Sequence, residues 1–370
     1  MSEATPRFRC AWLHIGLGKT GSTAVQAQLL ASAAVLERSG LHYPRHFPHL
    51  RAFGGNHSPV LRGLFDTSTE RSRILTMLGL RSEAALQRFN RQSLDCLRRG
   101  FESSEAPQLL LSAEGVGHFP RPALQALAAW LGEIAEEVRV VACVRHPLDA
   151  LSSEIQQRLT AGAVLETLYA DPPVYPLRKL FTRLADSFGE DSLVLYDFAG
   201  ATCYPGGLAA ALLEHTGVAV HGLAPEPPRA NPSMSHEAAL LLSALNAQRG
   251  LFAGGGRNPE RAPDDVQRIA SLPGRKFSAP PAVYALVEQR MADDLAWLEA
   301  RHKLVLSAPE RPAADNEDPG FSQADIDDLA LRLADEARLR YALSSPLRLP
   351  ARYLRQWWRR LRSCLPGAEG

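Results

Sequence analysis

The sequence predicts an α/β fold whose central sheet is mostly parallel and has about four to five strands. Continuously apolar runs predict buried strands at 11–16, 108–112, 138–144 and 192–196. Between and after them, apolar residues recur at helical spacing at 22–38, 70–99, 122–134, 148–159, 174–188 and 208–214. Short apolar strands that alternate with helices are typical of a parallel sheet with helices on both faces.

The composition excludes several classes of protein. Of the 370 residues, 45% are hydrophobic and 22% are charged, which excludes wholesale disorder, collagen and long coiled coils. The formal net charge is +1, so we expect no nucleic-acid partner. The five cysteines form no CxxC pair, and no metal site is predicted. Without a signal peptide or a long apolar span, the sequence predicts a cytoplasmic protein.

The second half of the chain predicts successive helices rather than strands. Helical spacing recurs at 236–246, 281–301 and 324–340. A stretch rich in proline and acidic residues at 307–320 interrupts them. We therefore predict an α/β domain over 1–306, a linker over 307–320 and a helical C-terminal extension over 321–370.

A glycine-flanked lysine directly follows the first predicted strand. Lysine is rare here, with four among the 41 basic residues, yet Lys19 is retained in this loop. Main-chain N–H groups at a glycine-rich turn and at a helix N-terminus bind anions, and lysine and hydroxyl side chains add to such a site. The ATPase pattern does not fit, because Leu13 stands where its first glycine is required. The residues predicted to bind phosphate are Gly18, Lys19, Thr20, Gly21, Ser22 and Thr23.

A second anion site is predicted where the third strand ends. Arg145 follows that strand, and Ser153 lies eight residues further on, in the next predicted helix. Arginine offers a bidentate, charged donor pair to phosphate. Pro147 near the helix start is expected to direct Ser153 back toward the strand end.

The two segments together resemble the sulfotransferases. Residues 19–23 are similar to their 5′-phosphosulfate-binding loop, and Arg145 with Ser153 is similar to their 3′-phosphate site. The segments 14–16 and 43–44, with Gln26, look like the bacterial branch of the family. The resemblance covers roughly residues 11–305.

This resemblance implies a P-loop NTPase-like three-layer sandwich and a nucleotide-binding transferase. The implied sulfonate donor is 3′-phosphoadenosine 5′-phosphosulfate, with no metal. A hydroxyl or amine would accept the sulfonate by in-line displacement, and a carbohydrate or glycolipid is the expected acceptor. In that reaction Lys19 would neutralise the charge on the leaving oxygen. The loops at 44–66, 160–175 and 250–280 are expected to form the acceptor site.

A general base is still required, and the sequence offers alternatives. Glu114 closes the second strand, so its side chain should point into the crevice where α/β proteins bind ligands. His57, in a glycine-containing loop, is the second candidate, and His118 is the third. Two other functions stay open: a nucleotide-dependent kinase that uses the same loop, and a catalytically silent nucleotide-binding protein.

The C-terminal tail predicts a basic amphipathic helix at about 350–365. Leucine and tryptophan side chains fall on one side and arginines on the other. Tryptophans on the apolar face are typical of a helix that lies at a membrane interface. The helix would either contact the inner face of the membrane or pack against protein, including a second copy of the chain.

Overall fold

The computed structural model describes residues 6–45, 47, 54–66, 79–80, 82–227, 233–253, 256–309 and 323–344. The chain divides into two compact units. The first comprises 1–150, 174–231 and 285–310, and the second comprises 151–173, 232–284 and 311–370. Most of the predicted linker lies outside the described residues, and the predicted boundaries at 306 and 320 stay predictions.

Short apolar segments form the strands of the first unit. These are β1 (Phe8–His14), β2 (Leu41–His42), β3 (Gln108–Ser112), β4 (Ala135–Val144) and β5 (Leu193–Asp197). They make one parallel sheet in the order β2-β3-β1-β4-β5. This confirms the predicted α/β class with a central parallel sheet flanked by helices. Because β1 is central, the loop after it emerges between the ends of β3 and β4.

The helices range from 5 to 22 residues, and those predicted from the sequence occur in the predicted order. They are α1 (Ser22–Ala31), α2 (Ala33–Arg38), α3 (Ser58–Phe65), α4 (Glu83–Ser103), α5 (Arg121–Ile134), α6 (Pro147–Thr160), α7 (Leu165–Ala170), α8 (Leu177–Phe188), α9 (Phe198–Thr202), α10 (Gly207–Glu214), α11 (His236–Gln248), α12 (Asp265–Ala270), α13 (Pro281–His302) and α14 (Gln323–Ser344). One difference is that the helix predicted over 22–38 is divided at Ser32. The hydroxyl of Ser32 accepts a hydrogen bond from the Ala224 N–H at 2.9 Å, a contact between distant segments that local periodicity does not encode.

Alternation along β1 divides the core of the first unit between the two faces of the sheet. Cys10 and Trp12 belong to a buried cluster with α1, α2 and α10. Helices α5 and α8 contact the sheet through β1, β4 and β5. Burying both faces explains why the strands are continuously apolar rather than alternating.

The second unit is mainly helical. Its α11 packs against α12 and α14. The amide of Asn246 on α11 donates to the carbonyls of Leu159 and Ala163 at 2.8 and 2.7 Å. Arg261 and Asp265 form an ion pair whose side chains are fully buried. Two antiparallel strands of two residues each, β6 (Phe252–Ala253) and β7 (Gly256–Arg257), complete this unit.

Within the described part of the chain, no helix is both long and apolar enough to cross a membrane. The amphipathic tail predicted at 350–365 lies outside that part, and its contact with membrane or protein stays a prediction.

Candidate functional site

The loop between β1 and α1 is fixed to β4 by main-chain hydrogen bonds. The N–H groups of Ile15 and Leu17 donate to the carbonyls of Val141 and Cys143 at 3.1 and 3.2 Å. In return, the Cys143 N–H donates to the Gly16 carbonyl at 2.9 Å. The loop therefore begins as an extension of the parallel ladder, which holds its glycines at the carboxyl edge of the sheet.

Two hydroxyl groups brace this loop from inside. Thr20 Oγ1 and Ser22 Oγ donate to the Leu17 carbonyl at 2.7 and 3.2 Å, and both residues are buried. The sequence suggested these hydroxyls as ligand donors, whereas the structure uses them to shape the turn. Thr23 is exposed on the first turn of α1. The first N–H groups of a helix have no intrahelical partner, so the main chain still offers donors to an anion.

The turn itself requires an unusual backbone. Lys19 has φ 64°, a left-handed conformation that is uncommon for residues other than glycine. Gly21, with φ 75°, precedes α1, and a Cβ atom there would lie 2.5 Å from Leu208 Cδ1. Such a conformation costs about 1–3 kcal/mol and is found mainly at functional sites. Glycine at position 21 therefore allows Leu208 to pack closely against the turn, and Lys19 adopts a strained conformation within it.

The structure brings Arg145 to the Lys19 loop. Arg145 follows β4, and its Nη1 donates to the Lys19 carbonyl at 2.8 Å. Its Nε pairs with Asp149 at 2.6 Å, and its guanidinium lies 4.8 Å from the centroid of the Phe198 ring. These contacts orient the guanidinium while leaving part of it exposed. The two predicted anion-binding segments thus meet at one edge of the sheet.

Ser153 lies on α6 and belongs to the second unit. The predicted helix start is observed, since α6 begins at Pro147. The joint action of Arg145 and Ser153 on one phosphate stays a prediction.

Glu114 comes to the same edge from β3. It opens a short 3-10 turn, Glu114–His118, and lies against the glycine loop: a Cβ atom on Gly16 would be 3.1 Å from Glu114 Cβ. The Gly115 N–H donates to Ser58 Oγ at 2.9 Å, which fixes the turn. Burial raises the pKa of Glu114, opposed by the charge of Lys19 and a hydrogen bond with Ser22. A carboxyl group of raised pKa beside a lysine is suited to accept a proton.

His57 occupies a different environment. Its Nε2–H donates to the Pro44 carbonyl at 2.9 Å, and its Nδ1 accepts from the Ser112 N–H at 3.0 Å. The ring is buried, and burial lowers the pKa of His57 to about 4. Because both ring nitrogens are bonded to the main chain, His57 has no nitrogen left to take a proton from an acceptor. The geometry gives it the task of tying β3 to the segment before α3.

A pocket of about 220 Å³ opens beside Glu114. His118, the third candidate base, is exposed on its wall, with its ring centroid 6.3 Å from that of Tyr175. Lys179 and Arg183 of α8 also line it. Sequence reasoning gave neither a role. The scarcity of lysine, which singled out Lys19, was the one signal that pointed to Lys179.

No protein-family model matches the chain, and no curated protein matches it in sequence. Three solved structures with some similarity are sulfotransferases or sulfotransferase domains. One is a sulfotransferase from Alicyclobacillus acidocaldarius, with 11% identity and a TM-score of 0.38, covering 80% of this chain and 95% of that one. The sulfotransferase domain of the Synechococcus PCC 7002 olefin synthase has 15% identity and a TM-score of 0.34, with coverages of 78% and 96%.

A third similar structure is the sulfotransferase domain from the curacin biosynthetic pathway. It is 14% identical, with a TM-score of 0.31, and the match covers 78% of this chain and 98% of that one. The similarity to all three is remote.

Proposed function

We propose that this protein is a sulfotransferase, using 3′-phosphoadenosine 5′-phosphosulfate as donor and a hydroxyl or amine as acceptor. A carbohydrate or glycolipid is the proposed acceptor class. The observation that carries the proposal is the meeting of three groups at one edge of the sheet. The Lys19 loop, Arg145 and Glu114 come from the ends of three adjacent strands, β1, β4 and β3.

The residues fit a bisphosphorylated nucleotide. The first turn of α1 and Lys19 provide main-chain donors and a positive charge for one phosphate. Arg145, bonded to the Lys19 carbonyl, brings a second, oriented positive charge to the same loop for the other phosphate. When bound, the donor would supply an activated sulfonate group and a phosphate leaving group.

Each group then has a distinct task in the transfer. Glu114 takes the proton of the attacking hydroxyl as the acceptor oxygen bonds to sulfur and the bond from sulfur to the 5′-phosphate oxygen breaks. Lys19 neutralises the negative charge that builds on that leaving oxygen. The charge of Lys19 also favours the ionised form of Glu114, which must be deprotonated to act as a base.

Nucleotide binding tests the first half of this proposal. By calorimetry, the protein should bind 3′-phosphoadenosine 5′-phosphate more tightly than adenosine 5′-phosphate. Arg145→Gln should remove most of that preference, about tenfold or more for a charged hydrogen bond. Arg139→Gln, in the middle of the same strand, is the matched control and should preserve the preference. Tighter binding of ATP with Mg²⁺ would favour the kinase alternative.

Transfer of radiolabelled sulfonate tests the second half. In a screen of glycans, lipids, tyrosine peptides and small alcohols, Lys19→Ala should abolish transfer. Glu114→Gln should lower kcat by about 10²–10⁴-fold, the usual effect of losing a general base. In the wild type, kcat should rise with pH through the raised pKa of Glu114. Undiminished turnover in Glu114→Gln would contradict its role and return His118 to consideration.

A further inference from the structure

The pocket beside Glu114 carries more positive than negative side chains. Lys179 and Arg183 both line it and stand four residues apart on α8, so they share one face of that helix. Among the described residues that line the pocket, Glu114 is the one carboxylate. Two cations therefore face one anion at the place where an acceptor would enter.

Arg183 is only partly satisfied by the protein. Its Nη2 donates to the Gly117 carbonyl at 2.6 Å, which holds the guanidinium against the turn that begins at Glu114. Its Nε is buried and lacks a hydrogen-bond partner among the described residues. Burial also lowers the pKa of Arg183. A buried charged group with an unpaired donor is costly. An anion in the pocket that Arg183 lines would offset part of this cost by its charge.

Lys179, which lines the same pocket, is exposed. Within the described part of the chain, neither Lys179 nor Arg183 forms an ion pair. Lysine occurs four times in the sequence, and two of the four are Lys19, beside Glu114, and Lys179, on the wall of its pocket. The positive charge of this wall is therefore open to a ligand.

We propose that the acceptor carries an anionic group, a carboxylate, phosphate or sulfate, near its reacting hydroxyl, and that Lys179 and Arg183 bind that group. This inference rests on the proposed sulfotransferase function and adds the charge of the acceptor to it. The pocket volume of about 220 Å³ is below the roughly 300–1,000 Å³ of drug-sized sites. A small molecule or the terminal unit of a larger acceptor fits this size.

Matched pairs of probes test the inference. Binding is measured by calorimetry with the full chain saturated with 3′-phosphoadenosine 5′-phosphate. Methyl β-glucuronide is compared with methyl β-glucoside, and 4-hydroxybenzoate with 4-hydroxybenzamide. In at least one pair the wild type should bind the anionic member about tenfold more tightly, the size expected of a charged hydrogen bond.

Variants of two neighbouring residues on α8 distinguish binding at this pocket from a general electrostatic attraction of anions to the protein. Lys179→Gln should remove the preference for the anionic probe, and Lys179→Glu should reverse it. Arg178→Gln makes the same change of charge one residue away, on an exposed side chain that does not line the pocket, and should keep the preference.

Two results would overturn the inference while leaving the proposed function intact. One is equal binding of both members in both pairs, and the other is an equal loss in Lys179→Gln and Arg178→Gln. Failure of the initial titration with 3′-phosphoadenosine 5′-phosphate would instead contradict the proposed function, and the acceptor inference with it.

Discussion

Acidification should destabilise the first unit through two buried histidines that hold the end of β3. His14 Nδ1 is hydrogen-bonded to Ser112 Oγ at 2.8 Å, and His57 Nδ1 accepts from the Ser112 N–H at 3.0 Å. If Nδ1 of His57 took up a proton, its N–H would face the Ser112 N–H, and the hydrogen bond between them would be lost. Because Ser112 is two residues before Glu114, the same protonation would disturb the segment that carries the proposed base.

The magnitude follows from the pKa values. Burial lowers the pKa of both His14 and His57 from 6.5 to about 4. The unfolded chain therefore binds protons near pH 6.5 that the folded state binds only near pH 4. The stabilisation is complete above pH 6.5 and is lost as the pH falls toward 4. At pH 5 each histidine should lower the free energy of unfolding by about 2 kcal/mol, and well below pH 4 the loss reaches about 3.4 kcal/mol for each.

Urea unfolding of His57→Gln at several pH values between 7 and 4.5 isolates one of these contributions. The variant should be less stable at pH 7, because it loses a buried hydrogen-bonded ring. Its stability should nevertheless fall less steeply with acid than that of the wild type, by about 1.2 kcal/mol per pH unit between pH 6 and 4.5. His221→Gln, which replaces an exposed histidine, should leave the slope unchanged. Equal slopes for wild type and His57→Gln would refute the reasoning.

Two further predictions concern stability. Gly21→Ala forces a side chain into a left-handed turn and against Leu208, so it should cost more than Gly217→Ala, where φ is 68° and nothing lies within 4 Å. Gly217→Ala should lower the free energy of unfolding in urea by about 1–2 kcal/mol. Equal losses in the two variants would show that the contact with Leu208 does not restrict position 21. In the second unit, Asp265→Ala leaves the buried charge of Arg261 without its partner. It should reduce the free energy of unfolding by about 3–5 kcal/mol, and a loss below about 1 kcal/mol in thermal denaturation would contradict the structural role of that pair.

The sequence determined the architecture because the relevant signals are local. Continuously apolar runs of strand length, separated by helical periodicity, were sufficient to predict the parallel sheet. Local signals in the sequence also predicted where the candidate site lies. Lys19, Glu114 and Arg145 each lie within three residues of the end of a predicted strand, and in a parallel sheet the carboxyl ends of the strands meet at one edge. The contact between Arg145 and the Lys19 loop follows from that geometry.

The environment of each candidate site residue was decided by tertiary contacts. The sequence could not show that His57 bonds through both nitrogens to main-chain groups of Pro44 and Ser112, the second of which is 55 residues away. Nor could it place Lys179 and Arg183 beside Glu114, because they belong to a helix that folds back over the sheet from later in the chain. Burial and hydrogen-bond partners set the reactivity of a side chain, and both depend on which distant segments pack against it.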